Sequence, residues 1–496
     1  MLDRTGPSAF TPTPPFTMNT ITLRPYQETA VKETRRHFAE IGKRVILCLP
    51  TGAGKTVIFS HIAIAAAQKG KRVLILTHRR ELYNQASAFV VPGMTVQMVE
   101  TYHNRMKRQE ADPNKDCDLM IIDECHIGNF TKVLAHFDGF VIGATATPIA
   151  KPALRTLYQS IVVGPQIAEL IAEGSLAACR ALKAVGAVKA SELETKAGEF
   201  TEASQHKAFS ETGRFQGYTR HIAGAEQRKS IVFCCSIQHT IDVATELANN
   251  RGLRVYLAHS KMPKDERELQ MDGFKADGSP NAVLVNCGIA TTGFDCPDIG
   301  RVIVLRATKS VALWLQMVGR GSRPATPDFE LWDYGTNIDR LGLWDAPRNW
   351  KQVFERPDWV RKASLGMAPS RLCPTCGGFS SAKALVCECC GEAFPLRVKQ
   401  SPDGSLVEVQ TAHSYEGRKL FELLPMEVIV VGRLKGWKQI FIERVLYRIN
   451  PRALEQFYAA KKYSAGAKAM RLNLVKNGPQ PANFVIRFHE LAKPQA

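Results

Sequence analysis

Val45-Ile46-Leu47-Cys48-Leu49-Pro50-Thr51-Gly52-Ala53-Gly54-Lys55-Thr56 decides the reading of this chain. A short apolar run closed by proline and glycines predicts a strand buried on both faces, and the turn after it predicts a helix starting near Lys55. A strand, a glycine-rich turn and a helix in that order aim backbone N–H groups at an anion. Lys55 would then neutralise terminal phosphates, and the Thr56 hydroxyl would sit on Mg²⁺. Thr51, Gly52, Gly54, Lys55 and Thr56 are therefore expected to bind nucleotide. Leu49 stands where the general phosphate-binding loop has its first glycine, so the match to that pattern is partial.

Further along, Ile121-Ile122-Asp123-Glu124-Cys125-His126 reads as a second buried strand ending in two carboxylates. Asp123 would hold the Mg²⁺ shell, and Glu124 would orient and deprotonate an attacking water. Together the two segments predict ATP hydrolysis.

Outward from these strands, 44–49, 72–76, 119–122 and 140–143 alternate with helical stretches, the pattern of a parallel sheet covered by helices. A polar stretch over 189–216 has few strand signals and predicts helices. The alternation restarts at 230–235, 254–258, 282–286 and 302–305. Two α/β lobes follow, with the ligand site expected at the carboxyl ends of the first lobe's strands.

The 496 residues carry a net charge of +18, which favours a polyanionic partner, and nucleic acid over anionic membrane because no segment resembles an amphipathic anchor. Residues 1–20 lack the apolar core of a signal peptide, and the longest apolar stretches fall short of a membrane span; a cytoplasmic location is expected. Residues 396–496 hold 17 Lys and Arg against 8 Asp and Glu, suited to a phosphate-facing module.

Eight of the thirteen cysteines are scattered through apolar strands and loops and read as small buried hydrophobes. Cys373-x-x-Cys376 and Cys387-x-x-Cys390, each followed by glycine, have the spacing of a tetrahedral structural Zn²⁺ site. A redox pair or an iron–sulfur cluster shares that spacing, and Cys389 is either spare or an alternative ligand.

In order along the chain stand Leu23-Arg24-Pro25-Tyr26-Gln27, the phosphate loop, Leu76-Thr77-His78-Arg79-Arg80-Glu81-Leu82, Asp123-Glu124-Cys125-His126, Gly143-Ala144-Thr145-Ala146-Thr147-Pro148, Ile231-Val232-Phe233, Thr291-Thr292-Gly293-Phe294-Asp295 and Gln316-Met317-Val318-Gly319-Arg320-Gly321-Ser322-Arg323. In these motifs residues 21–340 resemble the superfamily 2 DEAD/H-box helicases, and among them the RadD-like bacterial and phage DNA helicases. The resemblance implies two RecA-like lobes, 21–180 and 181–365, between a tail over 1–20, a zinc ribbon over 370–395 and a basic region over 396–496. It implies that Arg24 and Gln27 bind the nucleotide, Gln27 by pairing its amide with adenine, and that Gly293 and Asp295 approach the ribose. Arg320 and Arg323, three apart and suited to one face of a helical turn, would serve as arginine fingers. Thr145 and Thr147 resemble the motif that couples nucleotide state to strand grip, and Thr77, Arg79 and Thr101 would contact nucleic-acid phosphates.

The implied activity is an ATP-dependent DNA helicase or translocase using ATP, Mg²⁺ and structural Zn²⁺, with DNA favoured over RNA and with replication, repair or restriction partners. An RNA helicase and an ATP-switched nucleic-acid-binding subunit remain the alternatives.

Overall fold

The apolar run around Cys48 forms strand β1, Arg44–Cys48, in which Val45, Ile46 and Leu47 are wholly buried. The computed structural model describes residues 22–355 apart from Gly128, Asn129, Lys151, Pro152, Asn250, Arg251, Thr292 and Pro324, and beyond them 370–372, 379–381, 406–409, 428, 439–449, 454–455, 458, 465–477 and 479. Two units divide the chain: Met1–Cys48 with Gly54–Gly164, and Leu49–Ala53 with Pro165–Ala496.

In the first unit β1 is joined by β2 (Val73–Thr77), β3 (Met94–Met98), β4 (Leu119–Asp123), β5 (Phe140–Thr145) and β6 (Ser160–Val163). Their order is β3-β2-β4-β5-β1-β6, and every pairing is parallel. Parallel neighbours need crossover connections, supplied here by helices such as Lys55–Ala67, Arg80–Ser87 and Val99–Lys107. Because helices cover both faces, the strands read as continuous apolar runs with no alternation. The register sets Cys48 beside Thr145 and Asp123 beside Ala144, so β1, β5 and β4 end side by side.

The second unit contains β7 (Ala178–Ala184), β8 (Thr195–Lys196), β9 (Glu199–Phe200), β10 (Ser230–Cys234), β11 (Arg254–His259), β12 (Ala282–Cys287), β13 (Arg301–Leu305), β14 (Asp328–Asp333), β15 (Ser370–Leu372), β16 (Phe379–Ser381) and β17 (Leu406–Val409). Its main sheet runs β11-β12-β10-β13-β14-β7-β17, parallel except where β17 lies antiparallel to β7. Phe209, Tyr218, Val232, Val243 and Ile303 belong to its core. The stretch 189–216, expected to be helical, carries helix Glu202–Phe209 and the start of Thr212–Gly224, but also the β8–β9 hairpin. Towards the C-terminus, helices Gln439–Ile449 and Ala465–Asn477 are joined by an ion pair between buried Glu443 and Arg471, with N–O distances of 2.6–3.0 Å.

The expected zinc ribbon and structural Zn²⁺ are corrected. Among the described residues no group of three or more His, Cys, Asp or Glu is gathered so as to hold a metal ion. The eight cysteines described are all free, and seven of them are buried, where they serve as apolar filling. Cys373, Cys376, Cys387 and Cys390 lie outside the described residues, and what is described of 370–395 is the antiparallel β15–β16 ribbon alone. The fold class is thus two parallel-sheet lobes, with no support for a zinc ribbon.

Candidate active site

The phosphate loop leaves β1 through Leu49, which is fully buried. That burial accounts for the departure from the glycine pattern, since a leucine at this position fills core. Gly52 and Gly54 take φ of +89° and +75°, a backbone open to glycine at little cost. Gly54 stands at the N-cap of helix Lys55–Ala67, and no side chain caps that helix. A helix start left to backbone donors, with Lys55 and Thr56 in its first turn, is suited to an anion. A Cβ on Gly54 would lie 2.5 Å from the Gln27 amide nitrogen, so a side chain there would displace that amide besides meeting the cost of a positive φ. Gln27 is buried, and its Oε1 accepts from the Arg24 backbone N–H at 3.0 Å, while the Arg24 side chain is exposed.

Asp123 ends β4, and Glu124 follows with φ +52°, a left-handed backbone that costs a non-glycine residue about 1–3 kcal/mol. The Glu124 N–H donates to Asp123 Oδ1 at 2.9 Å. Both carboxyl groups are buried. Burial and then the neighbouring Glu124 charge push Asp123 up to about 7. Burial would push Glu124 up as well, but the His126 hydrogen bond and the Lys55 charge outweigh it and hold Glu124 below the usual range. Two buried carboxyl groups under the influence of the Lys55 charge, with Thr56 next to Lys55 in the first helical turn, are oxygen donors of the kind a hard divalent cation takes.

Sequence reading missed the residue that ties this site together. His126 Nδ1 lies 3.3 Å from Glu124 Oε2 and 2.9 Å from Thr145 Oγ1. Thr145 in turn donates to the Thr147 carbonyl at 3.1 Å and accepts from the Thr147 N–H at 3.0 Å. Glu124, His126, Thr145 and Thr147 thus form one chain across the ends of β4 and β5. His78 lies near it, lowered to about 4 first by burial and then by Arg79, and neither of its ring nitrogens meets a hydrogen-bond partner among the described residues.

Of the expected strand contacts, Thr77 is wholly buried, its hydroxyl 3.6 Å from Met98 Sδ. Arg79 is half-buried at the start of helix Arg80–Ser87, and Thr101 is exposed on helix Val99–Lys107.

In the second unit the Arg320 guanidinium donates to the carbonyls of Thr291, at 2.9 Å, and Phe294. Arg323 pairs with Asp295, its Nε and Nη2 each 2.9 Å from Oδ1. Gly293, at φ +74°, turns the loop between them. Arg320, Arg323, Gly293 and Asp295 are therefore gathered in one place. The arginines do not share a helical face, because helix Val311–Val318 stops at Gly319 and both lie beyond it.

Two protein families match this chain: the helicase conserved C-terminal domain over residues 215–325 and the type III restriction enzyme res subunit over 20–90. A 51.5 kDa protein of a Lactococcus phage (isolate 7-9) is 28% identical over 361 residues, covering 71% of this chain and 78% of the phage protein. IRC3 of Saccharomyces cerevisiae, described as an ATP-dependent helicase, is 28% identical over 342 residues, 61% of this chain, and the match spans about half (49%) of the yeast protein. Among solved structures, a fragment assigned as an HsdR subunit of a type I restriction enzyme from Vibrio vulnificus YJ016 shares the fold. Its TM-score is 0.51 at 22% identity, and 67% of this chain and 65% of that one are covered. These likenesses do not single out the RadD-like group. No described helix is long and apolar enough to cross a membrane. The chain carries a superfamily 2 helicase domain, related to restriction and DEAD-box helicases.

Proposed function

We propose that the chain is an ATP-dependent DNA translocase or helicase, in which hydrolysis at the first unit's strand ends is tied to movement along a strand. The line of contacts from Glu124 through His126, whose Nδ1 lies against both the Glu124 carboxylate and the Thr145 hydroxyl, to Thr145 and Thr147 carries this reading. It ties the carboxylate suited to activating water to the turn after β5, so a change at the phosphate has a route to the segment that follows. In this proposal Lys55 and the Gly52–Thr56 turn hold the triphosphate, and Glu124 takes the proton of the attacking water. Mg²⁺, held by Thr56 and Asp123, would offset charge on the β- and γ-oxygens. Gln27 would read the adenine edge, Asp295 and Gly293 would meet the ribose, and Arg320 and Arg323 would stabilise charge on the transferring phosphoryl group. Thr77, Arg79 and Thr101 would engage phosphates of the strand, Thr77 only through a rearrangement that frees its hydroxyl.

DNA is favoured over RNA by the match of residues 20–90 to the type III restriction enzyme res subunit. The finer kinship to RadD-like helicases rests on the shared motifs alone. Steady-state ATP hydrolysis, compared without nucleic acid and with single-stranded DNA, forked DNA and single-stranded RNA at fixed salt, tests the proposal. DNA should stimulate most, and Glu124→Gln should still bind ATP but lose turnover. Selective stimulation by RNA would replace DNA in the proposal, and undiminished turnover in Glu124→Gln would remove the water-activating role.

A further inference from the structure

We propose that Glu199 is a positioning residue for Arg320 and Arg323, acting through a hairpin latched to the start of the helix that leads into them; this rests on the role proposed above for those arginines. The hairpin is short and rigid. Its strands are β8 and β9, and the turn between them, Ala197-Gly198, has φ of +51° and +87°. Two successive positive φ values are those of the tight turn matched to strand twist. Ala197 holds its value at a steric cost that glycine would avoid, so surrounding contacts must fix it.

Those contacts converge on residues 307–310. One Glu199 oxygen accepts from the Thr308 hydroxyl at 2.7 Å, and both accept from the Lys309 N–H at 2.9 and 3.1 Å. Lys309 Nζ donates back to the Thr195 hydroxyl at 2.8 Å, and the Phe200 ring lies beneath Lys309 and Arg340 at 4.7 and 5.1 Å. Neighbouring donors are taken up in the same way, Ala307 N–H by Gln205 Oε1 at 2.8 Å and Thr308 N–H by Asn337 Oδ1 at 2.9 Å. From this clamp Ser310 caps helix Val311–Val318, accepting from Leu313 N–H at 3.2 Å. The helix is fully engaged along its length, with Trp314 buried and its indole N–H on the Gly342 carbonyl at 3.2 Å.

Helix Val311–Val318 therefore acts as a rigid rod, clamped at one end by Glu199 and ending at Gly319 next to Arg320. A charged acceptor holding a backbone donor fixes the pitch of such a rod more firmly than a neutral contact. Small misplacement of a charge-stabilising group is costly in rate. Glu199 lies in neither the nucleotide-binding turn nor the arginine loop, so its removal should act on turnover and leave nucleotide affinity in place.

The test compares Glu199→Ala, Glu199→Gln, Arg323→Ala and the double variant Glu199→Ala/Arg323→Ala in the full chain. Glu199→Ala is expected to lower stimulated kcat about tenfold, with KM for ATP within about twofold of wild type. Glu199→Gln, which keeps an acceptor for Lys309 N–H, should recover most of the rate. The double variant should lose less than the product of the two single losses, because Glu199 acts in part through Arg323. Full kcat in Glu199→Ala, or losses that multiply in the double variant, would overturn the proposal. Hydrogen exchange over 307–323 separates this outcome from failure of the functional reading. If the wild type hydrolyses no ATP with any nucleic acid, that reading falls, and unchanged exchange in Glu199→Ala then overturns the clamp as well.

Discussion

Replacing His126 by alanine removes one imidazole, and with it both the contact to the Glu124 carboxylate and the hydrogen bond to Thr145. Glu124 loses its neighbour at 3.3 Å and Thr145 loses its partner at 2.9 Å. Both Glu124 and Thr145 are buried, so water replaces the lost contact poorly. A hydrogen bond to a charged group contributes about 1.5–3 kcal/mol, which corresponds to about ten- to hundredfold in rate if it is felt in the transition state. The left-handed backbone at Glu124 adds to the effect, because a strained conformer persists only while its surroundings hold it. Lys55 and the glycine turn are untouched, so KM for ATP should hardly move while kcat falls. The assay is steady-state ATP hydrolysis at saturating single-stranded DNA, with urea unfolding to show that the variant is folded. A kcat within about twofold of wild type, or a raised KM at unchanged kcat, would refute the role given to His126.

Leu49→Gly restores the residue of the general phosphate loop but empties a wholly buried site; it should cost about 3–5 kcal/mol of stability in urea unfolding, and a neutral result would mean that Leu49 is not core. Lys229 is 4% exposed, 2.8 and 3.0 Å from the Asp298 carboxylate and 4.7 Å above Phe274. Since Asp298 can be rehydrated, Lys229→Met should cost only about 1–2 kcal/mol, and a loss of 4 kcal/mol or more, roughly that of an unpaired buried charge, would contradict this. Burial and then the His206 charge lower His239 from 6.5 to about 3. The unfolded chain then binds the extra proton below pH 6.5, so this residue's share of stability is whole above that pH and falls by about 1.4 kcal/mol per pH unit towards pH 3. Urea midpoints at pH 7 and 5 should differ less in His239→Gln, and an unchanged difference would exclude His239 as a source.

Much of the first lobe was legible because its grammar is local. An apolar run followed by glycines has few readings, and the buried runs of β1 and β4 stand where the periodicity put them. What could not be read was contact. Cys125 reads as a small buried hydrophobe and is buried, but its neighbours are not legible: a Cβ on Gly143 would meet its sulfur at 2.8 Å and the Tyr158 hydroxyl at 2.6 Å. The residue packs the end of β5. Thr77 looks exposed at the end of a strand, and only the β2–β3 register, which pairs it with Met98, shows it covered. The β8–β9 hairpin escaped because strands of two residues carry no alternation, and the turn residue expected there would be asparagine or aspartate, whereas the chain has Ala197. The His126 link escaped for a different reason: its partner Thr145 is on another strand, and sequence spacing says nothing of a distance across β4 and β5.

The pairing of Arg323 with Asp295 bears on how an arginine finger can be kept ready. The Asp295 side chain is 58% exposed and that of Arg323 27%, so solvent screens their attraction despite the 2.9 Å separation. Exposed pairs of this kind contribute about 0–1 kcal/mol. Arg320 is held differently, buried and donating to two carbonyls of the 291–294 loop, and releasing it would leave a charge without solvent. The two arginines are thus held with different firmness: Arg320 donates into the loop that carries Gly293 and Asp295, and in the role proposed above Arg323 would exchange its carboxylate for a phosphate oxygen at little cost. Lysine at 323 would keep the charge but lose the forked geometry, so Arg323→Lys should retain the pairing with Asp295 and still lose turnover. Retained turnover in that variant would assign the charge-stabilising role to Arg320 instead.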